Sequence, residues 1–188
     1  MNYCTRALHT GALTCLMAGA LVAAPGTPAR AGDEGLPNAG FEQLDPDTAT
    51  PLGWTPWATP NYAVYTLAAA RSGVSCVAIT DDDPAVSQGL RSPRMPVQPG
   101  KTYRASAWLM IERLEAGGFA LYLEYWQGTQ RIVNKSTYAE QAPEWKELSL
   151  AYPAPEGATH ATVLVYASSA TVGRAYFDDA SLDEVDEP

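Results

Sequence analysis

Three carboxylates and a row of aromatic rings are the side chains of this sequence with chemistry to offer. Asp178 and Asp179 stand side by side in Ala175-Tyr176-Phe177-Asp178-Asp179-Ala180-Ser181-Leu182, a run that reads as the closing β-strand of a compact domain. Strand alternation puts Phe177 and Asp179 on one face and Tyr176, Asp178 and Leu182 on the other. One Asp must then point inward or along a sheet edge, where a carboxylate needs a cation or strong donors. The other end of the domain, Leu36-Pro37-Asn38-Ala39-Gly40-Phe41-Glu42, supplies Glu42 beside an aromatic anchor. First and last strands sharing a hard cation would staple the two ends together.

The rings follow from the same alternation. In the strand that begins at Phe119, Phe119, Leu121, Leu123 and Tyr125 share one side, the core side. Tyr122, Glu124 and Trp126 are left on the other. The strand beginning at Tyr103 sends Tyr103, Ala105, Ala107 and Leu109 inward and leaves Arg104 and Trp108 outside. In Ala161 to Ala167, Val163 and Val165 point in and Tyr166 points out. Flat rings stack on the C–H patches of pyranoses, while Glu, Gln and Arg pair with sugar hydroxyls. Trp108, Tyr122, Glu124 and Trp126 meet that demand if strands pair sequentially, with Arg104, Gln127 and Tyr166 beside them. Trp57, Tyr62 and Tyr65, in an early Pro-rich stretch, offer an alternative site at the rim. Trp54 and Trp145, next to turns, read as core plugs.

Catalysis finds less support. The histidines are His9 and His160, and no serine carries a nucleophile motif. His9, Cys4 and Cys15 fall in the predicted leader, and the remaining pair, His160 and Cys76, cannot make a zinc site. Glu112, Glu115, Glu124 and Glu140 could pair for glycoside hydrolysis, but acids are common throughout so acidic a chain.

The elements that hold these residues begin after a leader. Arg6, an apolar stretch from Ala12 to Ala24 and the small residues of Ala29-Arg30-Ala31 make residues 1–31 a signal peptide, and the protein secreted, extracellular or periplasmic. Residues 32–188 form a single domain of ordinary size. The whole chain has a formal charge of −9, which becomes −11 once Arg6 and Arg30 leave. That excess disfavours nucleic acid and anionic membrane surfaces as partners. Cys76 remains as a lone thiol in a strand-like setting, a small buried hydrophobe. Asp81-Asp82-Asp83 before Pro84 reads as a solvated turn, with a second ion site as the sharper alternative.

Short alternating runs bounded by Pro, Gly, Asp and Asn recur at Val64–Leu67, Ser75–Thr80, Met95–Val97, Thr102–Ile111, Gly118–Trp126, Arg131–Asn134, Lys146–Tyr152, Ala161–Ala167 and Arg174–Leu182. No helical stripe of useful length competes. The expectation is all-β, a two-sheet antiparallel β-sandwich, with the acidic tail from Asp183 to Pro188 frayed.

In order, Asn38-Ala39-Gly40-Phe41-Glu42, Gly53-Trp54, Arg71-Ser72-Gly73, Tyr103-Arg104-Ala105-Ser106-Ala107-Trp108, Trp145, Pro155-Glu156-Gly157-Ala158 and Tyr176 to Leu182 make a set. That set resembles a carbohydrate-binding module of the family 4/9/22 type, within the galactose-binding-like jelly rolls. The resemblance implies a jelly-roll sandwich and a polysaccharide or oligosaccharide partner bound on the concave sheet or its rim. It also implies a structural Ca2+ near the joined ends. Glu42 and Asp178 or Asp179 would be the side-chain ligands, with carbonyls from the Arg71-Ser72-Gly73-Val74-Ser75 loop, hence Ser72 and Ser75. The function expected is non-catalytic glycan binding. The rivals are a cell-surface or matrix protein-interaction domain and a small polysaccharide-cleaving jelly-roll enzyme.

Overall fold

A computed structural model describes residues 35–57, 62–66 and 69–186. The predicted leader, residues 1–31, lies outside them. Eleven strands run in chain order: β1 Thr55–Trp57, β2 Tyr62–Thr66, β3 Ser75–Asp81, β4 Gln88–Arg91, β5 Met95–Pro96, β6 Thr102–Ala116, β7 Phe119–Gln127, β8 Gln130–Ala139, β9 Lys146–Pro153, β10 His160–Ala167 and β11 Val172–Val185. No helix occurs among the described residues. One antiparallel sheet has the order β1-β4-β10-β7-β8, with β5 extending the β4 edge of β10; the other runs β2-β3-β11-β6-β9. The expected all-β sandwich is what the chain forms.

The core is the meeting of the two inner faces. Phe119, Leu121, Leu123, Tyr125, Val163 and Val165 are fully buried from one sheet, as the alternation requires. Tyr103, Ala105, Ala107 and Leu109 face them from β6. Each buried Leu, Val or Phe side chain contributes about 1.5–3 kcal/mol by leaving water. Cys76 is buried too. Burial, with Asp178 and Glu42 nearby, pushes its thiol up to about 12, so it stays protonated and inert.

The two ends of the domain are neighbours. Ala180 N–H donates to the Ala39 carbonyl at 3.0 Å. Phe41 is fully buried against Trp54, ring centroids 4.8 Å apart, and the Trp54 indole N–H reaches the Pro37 carbonyl. Trp54 is thus the core plug expected of it, whereas Trp145 is only half-buried.

Several expectations change. Leu36 to Glu42 is a tight turn and not a strand, with Asn38 and Phe41 at φ 51° and 57°. Leu182 belongs to the core, because the β11 register slips between Asp178 and Ser181, where Asp179 sits at φ 44°. That extra residue inverts the parity beyond it and turns Ala180 and Leu182 inward. The tail does not fray at Asp183: Asp183, Glu184 and Val185 continue the ladder opposite Arg104, Tyr103 and Thr102. Of the acidic triplet, Asp82 and Asp83 are exposed and lead into a turn as expected, Asp82 pairing with Arg113, but Asp81 is the buried end of β3. Finally, β6 and β7 follow one another in the chain but lie in opposite sheets.

Candidate functional site: an aromatic and arginine-bearing sheet face

The outward face of the β1-β4-β10-β7-β8 sheet gathers the chemistry. Cross-strand register sets Leu164 opposite Tyr122, Thr162 opposite Glu124, and Asn134 opposite Glu124 from the other side. Leu164 faces Arg91, and Gly89 lies opposite both Tyr166 and Trp57. A Cβ on Gly89 would come within 2.8 Å of the Val165 carbonyl and 2.9 Å of the Tyr166 ring. Only glycine leaves room for Trp57 and Tyr166 to meet edge to face, 6.2 Å between centroids. Pro56 is tolerated in β1 because that strand is the sheet edge.

The rings bound a hollow of about 110 Å³ lined by Trp57, Tyr122, Arg131, Asn134, Leu164 and Tyr166. Tyr122 meets Tyr166 edge to face at 5.5 Å and shares a 2.8 Å hydroxyl contact with Tyr138, which is 52% exposed. Burial and the Tyr138 hydroxyl push Tyr122 up to about 12, so its O–H remains available as a donor.

Beneath the rings lies a buried charge cluster. Glu124 is fully buried and accepts from Arg91 Nε at 2.7 Å and Arg91 Nη2 at 3.2 Å. It also accepts from Arg131 Nη1 and from the Thr162 hydroxyl at 2.9 Å. The Trp126 indole N–H donates to that same hydroxyl. The Arg91 guanidinium in turn sits 4.4 Å from the Trp57 ring centroid and 5.1 Å from that of Trp126. Glu124 therefore cannot be the exposed hydroxyl acceptor expected from sequence; its oxygens are committed. Trp126, 9% exposed and flanked by Arg91 and Arg94, is a support and not a stacking platform.

Trp108 and Arg104 leave the group altogether, since β6 belongs to the other sheet. Trp108 carries the Arg71 guanidinium 3.6 Å above its ring. Tyr62 and Tyr65 lie on β2, also in that sheet, their side chains outside the described residues. Tyr122 and Tyr166 keep their expected place. Trp57, read as a rim alternative, joins them, and Arg91, Arg131, Asn134 and Gly89 were not singled out by sequence. Arg91 and Gly89 sit in β4, whose Gln88-Gly89-Leu90-Arg91 shows no alternation to read.

The second chemical centre is the acid cluster where the ends meet. Asp178 is fully buried; its Oδ2 accepts from the N–H groups of Arg71 and Ser72, at 2.8 and 3.2 Å, and its Oδ1 from that of Asp179. Glu42 Oε1 accepts from the N–H groups of Val74 and Ser75, at 2.9 and 3.1 Å. Asp179 takes the Ser72 hydroxyl at 2.7 Å and pairs with Arg71. The three acids surround Gly40: a Cβ there would lie 3.6 to 3.9 Å from atoms of Asp179, Glu42 and Asp178. Gly73, at φ +59°, admits Glu42 so closely that a Cβ would sit 2.1 Å from its Oε1. Burial pushes Asp178 up to about 6, against the pull of its N–H donors. Among the described residues, no three Asp, Glu, His or Cys side chains converge tightly enough to hold an ion by themselves.

A larger hollow of about 550 Å³ opens on the outer face of the second sheet, lined by Thr80, Asp82, Glu112, Arg113 and Arg174. Its charges pair with one another, Arg113 with Asp82 at 2.6 Å and Arg174 with Glu112 at 3.2 Å, and no ring lines it. Size alone does not make it the better site.

Comparison with known proteins follows the geometry. No curated protein sequence matches the chain. Among solved structures, the CBM22-1 xylan-binding domain of Paenibacillus barcinonensis Xyn10C superposes with a TM-score of 0.55 at 16% identity, covering 85% of this chain and 99% of that one. A family 61 module in complex with β-1,4-galactotriose gives 0.51 at 20% identity, covering 80% and 97%. Two larger proteins contain a similar body. This chain spans 21% of a bacteriophage CBA120 tailspike protein, TM-score 0.60 at 11% identity, and 26% of an arabinose-bound α-L-arabinofuranosidase, 0.60 at 18% identity. At such identities the likeness is one of fold. The family model for a carbohydrate binding domain, CBM_4_9, matches residues 34–172, and the chain belongs to that carbohydrate-binding family.

Proposed function

We propose that this protein is a secreted, non-catalytic glycan-binding module whose ligand lies across the Trp57–Tyr122–Tyr166 hollow. The observation that carries this reading is the hollow itself: three half-buried rings beside the polar ends of Arg131 and Asn134, on an open sheet face. Rings supply stacking on sugar C–H patches; a guanidinium and an amide supply directed donors to hydroxyls. Asn134 adds an acceptor. In titration calorimetry against soluble xylan, galactan and β-glucan, at least one polymer should bind, and Trp57→Ala or Tyr122→Ala should weaken it by about tenfold or more, roughly 1.4 kcal/mol. Binding that survives both substitutions would move the ligand elsewhere. Release of reducing sugar from the bound polymer would overturn the non-catalytic part. Retention of residues 1–31 on protein recovered from its producing cell would overturn secretion.

The same reading includes a structural Ca2+ at the acid cluster. The donor set suits it: Glu42, Asp178 and Asp179 are hard oxygen donors from opposite ends of the domain, and calcium takes carboxylate and carbonyl oxygens together. The loop of Arg71, Ser72, Gly73, Val74 and Ser75 would contribute the backbone oxygens. The elevated Asp178 supports the reading, since burial raises it and the Asp179 charge adds to that, so a cation there would relieve both. Bound there, calcium would supply charge neutralisation and cross-linking of the chain ends.

A further inference from the structure

We propose that the glycan this module takes is anionic, a chain bearing carboxylate or sulfate groups, received by Arg131 in the aromatic hollow and by Arg94 over the Trp126 ring. The inference rests on the hollow being the glycan seat and deepens that reading to a ligand class. It starts from a contrast of charge. The protein carries a formal charge of −9, yet the six strands of the ring-bearing sheet contain one acid, Glu124. That acid is fully buried. β11 of the other sheet alone carries Asp178, Asp179, Asp183 and Glu184.

Against the single strand carboxylate stand Arg91 and Arg131 of the same strands, with Arg94 in the loop between β4 and β5. Arg91 gives two donors to Glu124, and Arg131 gives one. Arg94 gives one N–H to the Gly128 carbonyl at 3.0 Å. Arg131 lines the hollow and has a 36% exposed side chain. A guanidinium presents five N–H donors, so both Arg131 and Arg94 keep donors beyond their internal bonds. Glu124 is buried beneath them, so the charge that lines the hollow is the Arg131 guanidinium, on a molecule that is negative as a whole. A seat for neutral sugar needs no such charge, because amides and hydroxyls serve its hydroxyls equally well. Planar forks matched to carboxylate or sulfate oxygens are what arginine supplies and neutral donors do not.

Glu124 then acts as a positioning residue. Its oxygens fix Arg131 and Arg91 in place beneath Trp57, so the Arg131 fork meets the ligand already oriented.

The test is calorimetry on the whole protein with matched polymers: polygalacturonate against its methyl ester, dextran sulfate against dextran, and neutral galactan and xylan. The expected result is binding of the charged member of a pair at least tenfold more tightly than its neutral twin. That preference should fall at least fivefold in 0.5 M NaCl, where screening is strong. Preference for the uronate pair over the sulfate pair, or the reverse, identifies the group. Arg131→Gln should abolish the preference. Because it also unbalances buried Glu124, Arg94→Gln is the second variant, expected to reduce the preference severalfold with the melting temperature unchanged. Neutral polymers bound as well as charged ones, with no response to salt, would overturn the anionic ligand while leaving the hollow as the seat. Charged polymers bound equally by wild type, Trp57→Ala and Arg131→Gln would overturn both. So would a complete lack of binding.

Discussion

Two fully buried carboxylates, Glu124 and Asp178, are set in opposite sheets and solved in opposite ways. Glu124 sits between Arg91 and Arg131 with the Thr162 hydroxyl on a third side, so its charge is matched where it stands. Asp178 sits near two other acids and leans on backbone N–H groups from the Arg71–Ser72 turn, and burial pushes it up to about 6. The lesson is that burial alone does not set the cost of a charge; the cations brought with it do. One site is complete as the chain folds it. The other holds its acids on backbone N–H groups, and under the calcium proposal it is the one that would gain from a counter-charge brought from outside.

The comparison can be broken most forcefully at Glu124. Arg91→Met leaves a buried, half-matched carboxylate and should cost about 3–5 kcal/mol in urea unfolding. Adding Glu124→Leu to it should recover most of that loss, because removing both partners is far milder than removing one. At Asp178 the largest effect should come from calcium. At a hundredfold excess over its dissociation constant, the ion should stabilise by about 2.7 kcal/mol, read as a raised melting temperature that chelator reverses. Asp178→Asn should blunt that response, and a melt indifferent to both ion and chelator would remove the metal.

In chelator, the pH dependence should expose the same acid. Its folded value lies above the ordinary 3.8, so the folded state binds the proton more tightly. Asp178 therefore favours folding below about pH 4, and that contribution fades as pH rises through about 6. Wild type should lose about 2 kcal/mol relative to Asp178→Asn between pH 4 and 7. A weaker version is expected at Asp81, whose buried Oδ2 has no hydrogen-bond partner among the described residues and whose acid is raised by burial. Asp81→Asn should therefore raise stability at pH 7 and leave it unchanged at pH 3, read by urea unfolding at the two pH values.

Much of the fold was legible because period-two patterns are local. Phe119-Ala120-Leu121-Tyr122-Leu123 declares its inner face without reference to any partner. β1 and β4 were not legible: Thr55-Pro56-Trp57 and Gln88-Gly89-Leu90-Arg91 carry turn-formers and too few apolar residues to alternate. Sheet membership was also hidden, since nothing in Thr102–Ala116 says that the next strand crosses to the other layer; hence Trp108 and Arg104 were grouped with Tyr122. The meeting of Glu42 with Asp178 and Asp179 follows from a buried carboxylate's need for a partner; the part played by the Arg71–Ser75 loop came from the resemblance alone. The fate of Glu124 could not be foreseen. Its partners Arg91 and Arg131 lie 33 and 7 residues away, and only strand register brings them to the same oxygen pair.

Cys76 has one more use. It stands on β3, opposite Tyr65 of β2, with a thiol that neither meets solvent nor ionises at neutral pH. A maleimide can reach it only when the sheet breathes open beside the acid cluster. Its alkylation rate is therefore a clock for local opening at the clasp between the chain ends, readable by mass spectrometry with no engineered label.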